Sequence, residues 1–474
     1  MENLQKFYIN GQWVAPISKA TLPVLNPALN EQIGTVSMGN SDDVNKAVAA
    51  AKAAFAGYSQ TGKADRLALL KRLKEETEKR FEDMAQAMRM EMGAPITMAR
   101  DAHADAAIGH LNSFIEALEA LQERMDLSNG DVMLREAIGV CGLITPWNWP
   151  INQIALKVIP ALATGCTCVL KPSEHTPVSA IVYAEIIHSA GYPAVFNLVN
   201  GDGPTVGSCL SRHRDIQMMS FTGSTRAGTA VTHDAAETVK RVTLELGGKS
   251  PNIVFADCDL EAMVTASVQE CMFNTGQSCD APTRLLVERS CYDEALKIVK
   301  IAAEAVTVGN PEKEGGHLGP LFDEIQFDRV QNMISVGINE GANLIVGGLG
   351  KPEGYEKGWF VKPTIFADVS NDQRIAQEEI FGPVLVVIPF ENEADAVRIA
   401  NDTPYGLAAY LQTGNSARAE RVAKQLRAGA VHINGGAVNY GTPFGGYLQS
   451  GNGREGGMMG LEDYLETKTL HGVF

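Results

Sequence analysis

The chain has no surplus of positive charge. Its 56 acidic residues outnumber 40 basic ones, for a formal net charge of −16. Nucleic acid selects basic faces, so this balance argues against it as a partner. No strongly basic amphipathic segment points to a membrane surface. Long hydrophobic runs are also missing. The nearest, from Ile154 to Leu170, is interrupted by Lys157, Pro160 and Gly165, which argues against a bilayer span. Residues 1–6 lack an apolar core, so no signal peptide is expected. The eight cysteines never form a C-x-x-C pair and have no histidine at zinc-ligand spacing, so no metal site is expected. Cysteines scattered in this way read as reduced thiols of a reducing compartment, and a cytoplasmic location is expected. Neither an internal repeat nor a low-complexity linker interrupts the sequence.

At 474 residues the chain exceeds what one hydrophobic core covers, so two or three domains are expected. Residues 7–14 read as a β-hairpin turning at Asn10-Gly11. Ser41 is placed as the cap of an amphipathic helix carrying Val44, Ala47, Val48, Ala51 and Phe55. Two long charged helical patterns follow, over residues 66–92 and 96–124. From Ile138 short apolar runs alternate with helical segments. Strands are predicted at 139–144, 166–170, 196–199, 217–221 and 242–246, with helices at 153–163, 177–190 and from Thr225. The pattern restarts after Gly248 with strand 252–255, helix 260–274 and strand 284–288, and runs on to strand 431–434. Such alternation predicts an α/β protein with parallel sheets covered by helices. Two α/β domains would meet near residues 245–249, and a cleft between such domains is a common ligand site.

Cys279 closes the run Phe273-Asn274-Thr275-Gly276-Gln277-Ser278-Cys279, a polar turn after a helical stretch, where a nucleophile would be presented to a cleft. Alone, it is as readily a small buried hydrophobe. A thiol nucleophile needs a base and a group to hold an oxyanion. Glu245 puts a carboxylate at the end of a predicted strand, followed by Leu246, Gly247, Gly248 and Lys249. Three further polar stretches lie just beyond predicted strand ends: Thr145–Pro150, Lys171–Glu174 and Phe221–Gly228. That is where open α/β sheets bind ligands. Gly223-Ser224-Thr225 before a helix offers backbone N–H groups and a positive dipole end to a phosphate. Taken singly, Asn148 is a turn former, Lys171 and Glu174 a surface ion pair, and Ser224 a plain helix cap. Two other patterns carry nothing. Gly451-x-Gly453-x-x-Gly456 leaves too little chain after it for a βαβ unit, and Gly248-Lys249-Ser250 lacks the first glycine of a phosphate loop, having Thr243 instead.

The ordered set of motifs resembles the aldehyde dehydrogenase superfamily from end to end. It comprises Pro146–Pro150, Lys171–Glu174, Gly223–Gly228, Glu245–Gly248, Gly276–Cys279, Glu379–Pro383, Pro443–Tyr447 and Ser450–Glu455. The resemblance implies a Rossmann-like NAD(P)-binding domain at 1–124 and 138–247 and a second α/β catalytic domain at 248–450. It also implies a small β oligomerisation element at 125–137 and 463–474. In that frame Cys279 attacks an aldehyde, Asn148 and the Cys279 N–H hold the oxyanion, and Glu245 activates water to release the acid from a thioester. Lys171 and Glu174 hold the adenosine ribose and Ser224 the pyrophosphate. Glu379 holds the nicotinamide ribose, with Phe381 packed nearby. Ile144, Thr145, Trp147, Ser173, Gly203, Phe221, Gly223, Leu246 and Gly247 complete the cofactor cleft.

Glu174 favours NAD, because a carboxylate accepts from both ribose hydroxyls and repels a further phosphate. Some similar enzymes also take NADP. By position Trp149, Gln153, Leu156, Ser278, Asp280, Val438 and Phe444 line the aldehyde tunnel, and Val438, where an aromatic residue is common, suggests a wide one. Asp280 should disfavour anionic aldehydes and raise the Cys279 pKa, unless it points away to cap a turn. Glu245 argues against the branch that passes its acyl group to coenzyme A, which typically lacks a carboxylate there. A non-catalytic relative would be expected to have lost Cys279, Asn148 or Glu245. The resemblance further implies a homo-oligomer, dimer or tetramer, built through the hairpin turning at Asn129-Gly130 and a C-terminal strand at 466–473.

Overall fold

The computed structural model describes residues 3–192 and 194–472. An eight-stranded sheet runs in the order Gly451–Asn452, Arg241–Glu245, Met218–Thr222, Val140–Ile144, Thr167–Lys171, Phe196–Leu198, Phe7–Ile9 and Gln12–Val14. Its five central strands are parallel. Four of them are buried along their whole length, and Arg241–Glu245 is buried from Thr243 onward, as helices on both sides require. A seven-stranded sheet is ordered Asn343–Val346, Thr364–Ala367, Val384–Phe390, Arg284–Glu288, Pro251–Val254, Ala408–Gln412 and Ala430–Ile433. All its pairs are parallel except the first. The expected α/β class is what the molecule has.

The C-terminal ends of the first sheet's parallel strands and the N-terminal ends of the second sheet's meet at the Glu245–Ser250 connection. The first sheet finishes at Glu245 and the second begins at Pro251. Gly451–Asn452 returns to pair antiparallel with Leu244 and Glu245, so the Ser450–Glu455 motif is a brace on the Glu245 strand and not a dinucleotide turn. Ser450 completes the brace. Its carbonyl accepts from the Leu246 N–H at 3.0 Å, and its Oγ donates to the Gly247 carbonyl at 2.7 Å.

Several local expectations are corrected. Asn40, not Ser41, caps the helix Ser41–Tyr58: its side chain accepts from the Asp42 and Asp43 N–H groups, and Asp43 returns a bond to the Asn40 N–H. This reciprocal box satisfies donors that a hydroxyl at the first helical position cannot reach. The pattern at 66–92 is two helices, Lys63–Lys79 and Phe81–Glu91, broken at Arg80. The pattern at 96–124 is Ile96–Met98, a π-helical turn Ala99–Ala104 and the helix Asp105–Ala120. The C-terminal strand is Leu465–Leu470, paired with Val132–Ala137, itself paired with Arg124–Asp126. Val473 and Phe474, included in the expected C-terminal element, lie outside the described residues. No helix is long and apolar enough to cross a membrane among the described residues.

Candidate active site

The helix Leu260–Met272 ends in a tight turn, Phe273–Gly276, before the cysteine. Asn274, Thr275 and Gly276 are all left-handed, at φ 52°, 57° and 69°. Such a backbone costs about 1–3 kcal/mol per non-glycine residue and persists only where the surroundings hold it. Here they do. Asn274 Nδ2 donates to the Asn148 carbonyl at 3.0 Å, Thr275 Oγ1 to the Gly319 carbonyl at 3.2 Å, and Gln277 Nε2 to the Asn274 carbonyl at 3.1 Å. Gly276 sits so close to the next loop that a Cβ would lie 2.1 Å from the Gly382 oxygen. The turn therefore fixes where Cys279 points.

Asn148 lies in the loop between the strand Val140–Ile144 and the helix Pro150–Ala163. Its side-chain amide donates to the Gln277 carbonyl at 3.0 Å, two residues before the cysteine. Next to it, Trp149 Nε1 donates to Ser278 Oγ at 2.9 Å. The two loops are thus tied at the two residues that precede Cys279.

Glu245 is only 2 % exposed, and neither of its carboxylate oxygens accepts a hydrogen bond. Burial pushes its pKa well above the usual carboxylate range, and nearby Glu455 pushes it further; Lys157 and Arg454 pull the other way. Lys157 and Glu455 form a buried ion pair at 2.5 Å, and Lys157 also donates to Ser220 Oγ at 3.0 Å. Gly445 leaves room for the acid, since a Cβ there would be 2.6 Å from Glu245 Oε1. A buried carboxylate without bonding partners, made more basic by its surroundings, is suited to take a proton from water. The Cys279 thiol is also pushed up, first by burial and next by Asp280, with Glu379 and Glu245 adding to it. The expected direction of the Asp280 effect is therefore present.

The residues expected to hold the cofactor fall in two groups. In the first, Lys171 Nζ pairs with Glu174 at 3.0 Å, and Ser173 Oγ accepts from the His175 N–H. The Thr145 N–H donates to the Lys171 carbonyl at 3.2 Å. The turn that begins at Gly203 lies against Ile144 and Lys171 through Gly207. Ser224 caps the helix Thr225–Ala235 by accepting from the Ala227 N–H at 3.3 Å. Phe221 fills the space over Gly223, and Leu246 the space over Gly228. In the second group, Glu379 Oε1 accepts from the Gly248 N–H at 3.1 Å, and Gly247 leaves space for its carboxylate. Phe381 meets the edge of Trp147 with centroids 5.4 Å apart, and Trp147 stacks on Phe322 at 3.7 Å.

On the other side of Cys279 opens a cavity of about 620 Å³. Trp149, Gln153, Leu156, Ser278, Asp280, Val438 and Phe444 all line it together with the cysteine. Asp280 is among the residues that line the cavity. The sequence reading missed other lining residues: His110, Glu270, Phe273, Tyr410, Gln412, His432 and Tyr440. It also missed His103, fully buried in the π-helical turn and stacked on Trp149 at 4.1 Å, with burial holding its pKa down at about 3. His103, His110 and Glu270, in helical stretches, carry no signal of their own. Among the described residues, no cluster of His, Cys, Asp and Glu could hold a metal ion.

Comparison with known proteins agrees with this geometry. The aldehyde dehydrogenase family matches residues 13–470, and the chain belongs to that family. It is 50% identical over 474 residues to a 3-succinoylsemialdehyde-pyridine dehydrogenase from a Pseudomonas species, covering 100% of this chain and 99% of the relative. A variant of aldehyde dehydrogenase C from Pseudomonas syringae, solved in complex with NAD+ and octanal, superposes with a TM-score of 0.98 at 48% identity. The match covers 99% of this chain and 97% of that one. An NAD+ complex of a Mycobacterium tuberculosis aldehyde dehydrogenase superposes at 0.96 with 40% identity, covering 98% and 97%. The protein is an NAD(P)-dependent aldehyde dehydrogenase.

Proposed function

We propose that the protein oxidises an aldehyde to the free carboxylic acid through a covalent intermediate on Cys279. The carrying observation is that Glu245 lies buried with neither carboxylate oxygen hydrogen-bonded, near enough to Cys279 to help push its thiol pKa up. As a thiolate, Cys279 adds to the aldehyde carbon. The Asn148 amide and the Cys279 N–H hold the oxygen that becomes negative. The thiohemiacetal on Cys279 then collapses to a thioester, for which NAD+ in the cofactor cleft would supply the hydride acceptor. Glu245 then removes a proton from water as the water attacks the thioester, and the acid leaves Cys279 as thiol. Transfer to coenzyme A needs no such base, so a dedicated buried carboxylate favours hydrolysis.

The residues present fit a dinucleotide. The N–H groups at the start of the Thr225–Ala235 helix precede its first backbone bond, from Gly228 to Ser224, and suit a phosphate. Lys171 with Glu174 would hold the adenosine ribose, and Glu379 the nicotinamide ribose. Glu174 favours NAD over NADP by repelling an added phosphate. The named relatives act on or bind a pyridine-bearing semialdehyde and octanal. A long, non-anionic aldehyde suits both those relatives and a cavity that contains Asp280. A homo-oligomer is supported by two open sheet edges, Leu465–Leu470 and Ala430–Ile433, which invite pairing.

The test is NADH formation by absorbance over a panel of aldehydes, without coenzyme A, for wild type and Cys279→Ala. Turnover by wild type should fall by on the order of 10⁴-fold or more in the variant. Full activity in Cys279→Ala would refute the proposal.

A further inference from the structure

We infer, on the dehydrogenase reading above, that the substrate cavity contains a second recognition site. It is an acidic side pocket formed by Asp280, Glu270, Gln412 and Tyr410, which takes a positively charged nitrogen at the far end of the aldehyde.

The cavity wall is uneven in chemistry. Its apolar part comes from Trp149, Leu156, Phe273, Val438 and Phe444. Its polar part comes from the edge of the seven-stranded sheet. Asn252 is in register with Tyr410, and Tyr410 with His432, on neighbouring parallel strands. Gln412 lies two residues after Tyr410 on the same strand and so on the same face. Across from them, the helix Leu260–Met272 contributes Ser267 and Glu270. Among the described residues the cavity is lined by the carboxylates Asp101, Glu270 and Asp280 and by no lysine or arginine. An anionic aldehyde would find no counter-charge anywhere along its path.

The hydrogen bonds spend the donors of this pocket and leave its acceptors. Gln412 Nε2 donates to Asn252 Oδ1 at 3.1 Å, Asn252 Nδ2 to Ser267 Oγ at 2.8 Å, and Ser267 Oγ to the Met263 carbonyl at 2.6 Å. Gln412 is 4 % exposed, yet its Oε1 accepts nothing. The Tyr410 hydroxyl donates to the Asp280 backbone carbonyl at 3.3 Å and not to its carboxylate. His432 Nδ1 lies 2.9 Å from the Gly436 carbonyl and so donates there. In the neutral ring its Nε2 is then an acceptor, and that atom also has no partner. His432 stacks on Tyr410 with centroids 4.5 Å apart, which adds a π surface that attracts cations. Two carboxylates, an idle amide oxygen, an idle imidazole nitrogen and an aromatic face share one requirement, a cation.

The experiment compares kcat/KM for three aldehydes of one chain length: 4-trimethylammoniobutanal, its uncharged carbon isostere 5,5-dimethylhexanal, and glutarate semialdehyde. Wild type should prefer the cation over the isostere by tenfold or more, with the anion last. Asp280→Asn and Glu270→Gln should each shrink the cation-to-isostere ratio severalfold, and the double variant should bring it near one. Because the ratio is read within each variant, partial loss of folding or turnover does not disturb it. Equal values for cation and isostere in wild type, with the isostere turned over, overturn the pocket and leave the dehydrogenase reading standing. A cation preference that survives in the double variant also overturns it. NADH from none of the three overturns both.

Discussion

The two sides of Cys279 are built by different means. On the side proposed for the cofactor the contacts come from short loops just past parallel strands, and backbone geometry sets them. Gly223, Gly247 and Gly276 each stand where a Cβ would collide with a neighbour. On the substrate side the cavity is walled by residues from a π-helical turn, three helices, neighbouring strands and the loop at 435–442. A ligand common to many enzymes can be read by backbone, whereas a particular aldehyde must be read by side chains. The first side should tolerate almost no change, and the second should exchange one selectivity for another.

Gly276→Ala should have the largest effect, because its φ of 69° and the 2.1 Å approach to the Gly382 oxygen leave no room for a methyl group. Loss of activity together with a fall in Tm corresponding to about 2–4 kcal/mol is expected; a fully active, equally stable variant would show the turn to be dispensable. Asn148→Ala should cost about 10²–10³ in kcat/KM, the usual loss for one oxyanion donor, while circular dichroism stays native. Glu174→Gln should raise KM for NAD+ by about tenfold, the size of one charge-assisted bond, and narrow the gap to NADP+. Initial rates at varied cofactor concentration check it. Val438→Phe should have the smallest effect on chemistry: about tenfold lower kcat/KM for branched long aldehydes and little change for propanal. A uniform loss across the series would mean that residue 438 supports catalysis as well as shape.

The same contrast explains what was legible in the sequence. Cys279, Asn148 and Glu245 stand beside glycines, prolines and strand ends, and those local signals reflect backbone requirements. The parallel strands were visible as apolar runs, with ends displaced by one residue in most cases. The helix break at Arg80 was hidden because the polar pattern continues across it, and Asn40 was passed over because two capping residues stand side by side. Lys157 looked only like an interruption of an apolar segment, yet it is wholly buried against Glu455. Its partner is 298 residues away in the chain, and no local pattern encodes such a pair. Tyr410, Gln412 and His432 sit on strands whose neighbours make them ordinary, and only the sheet order brings them to one wall.

Glu245→Gln gives the most direct test of the central claim, that Cys279 carries the acyl group and Glu245 releases it. The variant is mixed with octanal and NAD+, and NADH is followed by stopped flow while intact-mass spectrometry follows the protein. The account predicts a burst of about one NADH per subunit, an acyl adduct on the Cys279 peptide, and steady turnover slowed by about 10²–10⁴-fold. Wild-type turnover with no adduct would contradict it.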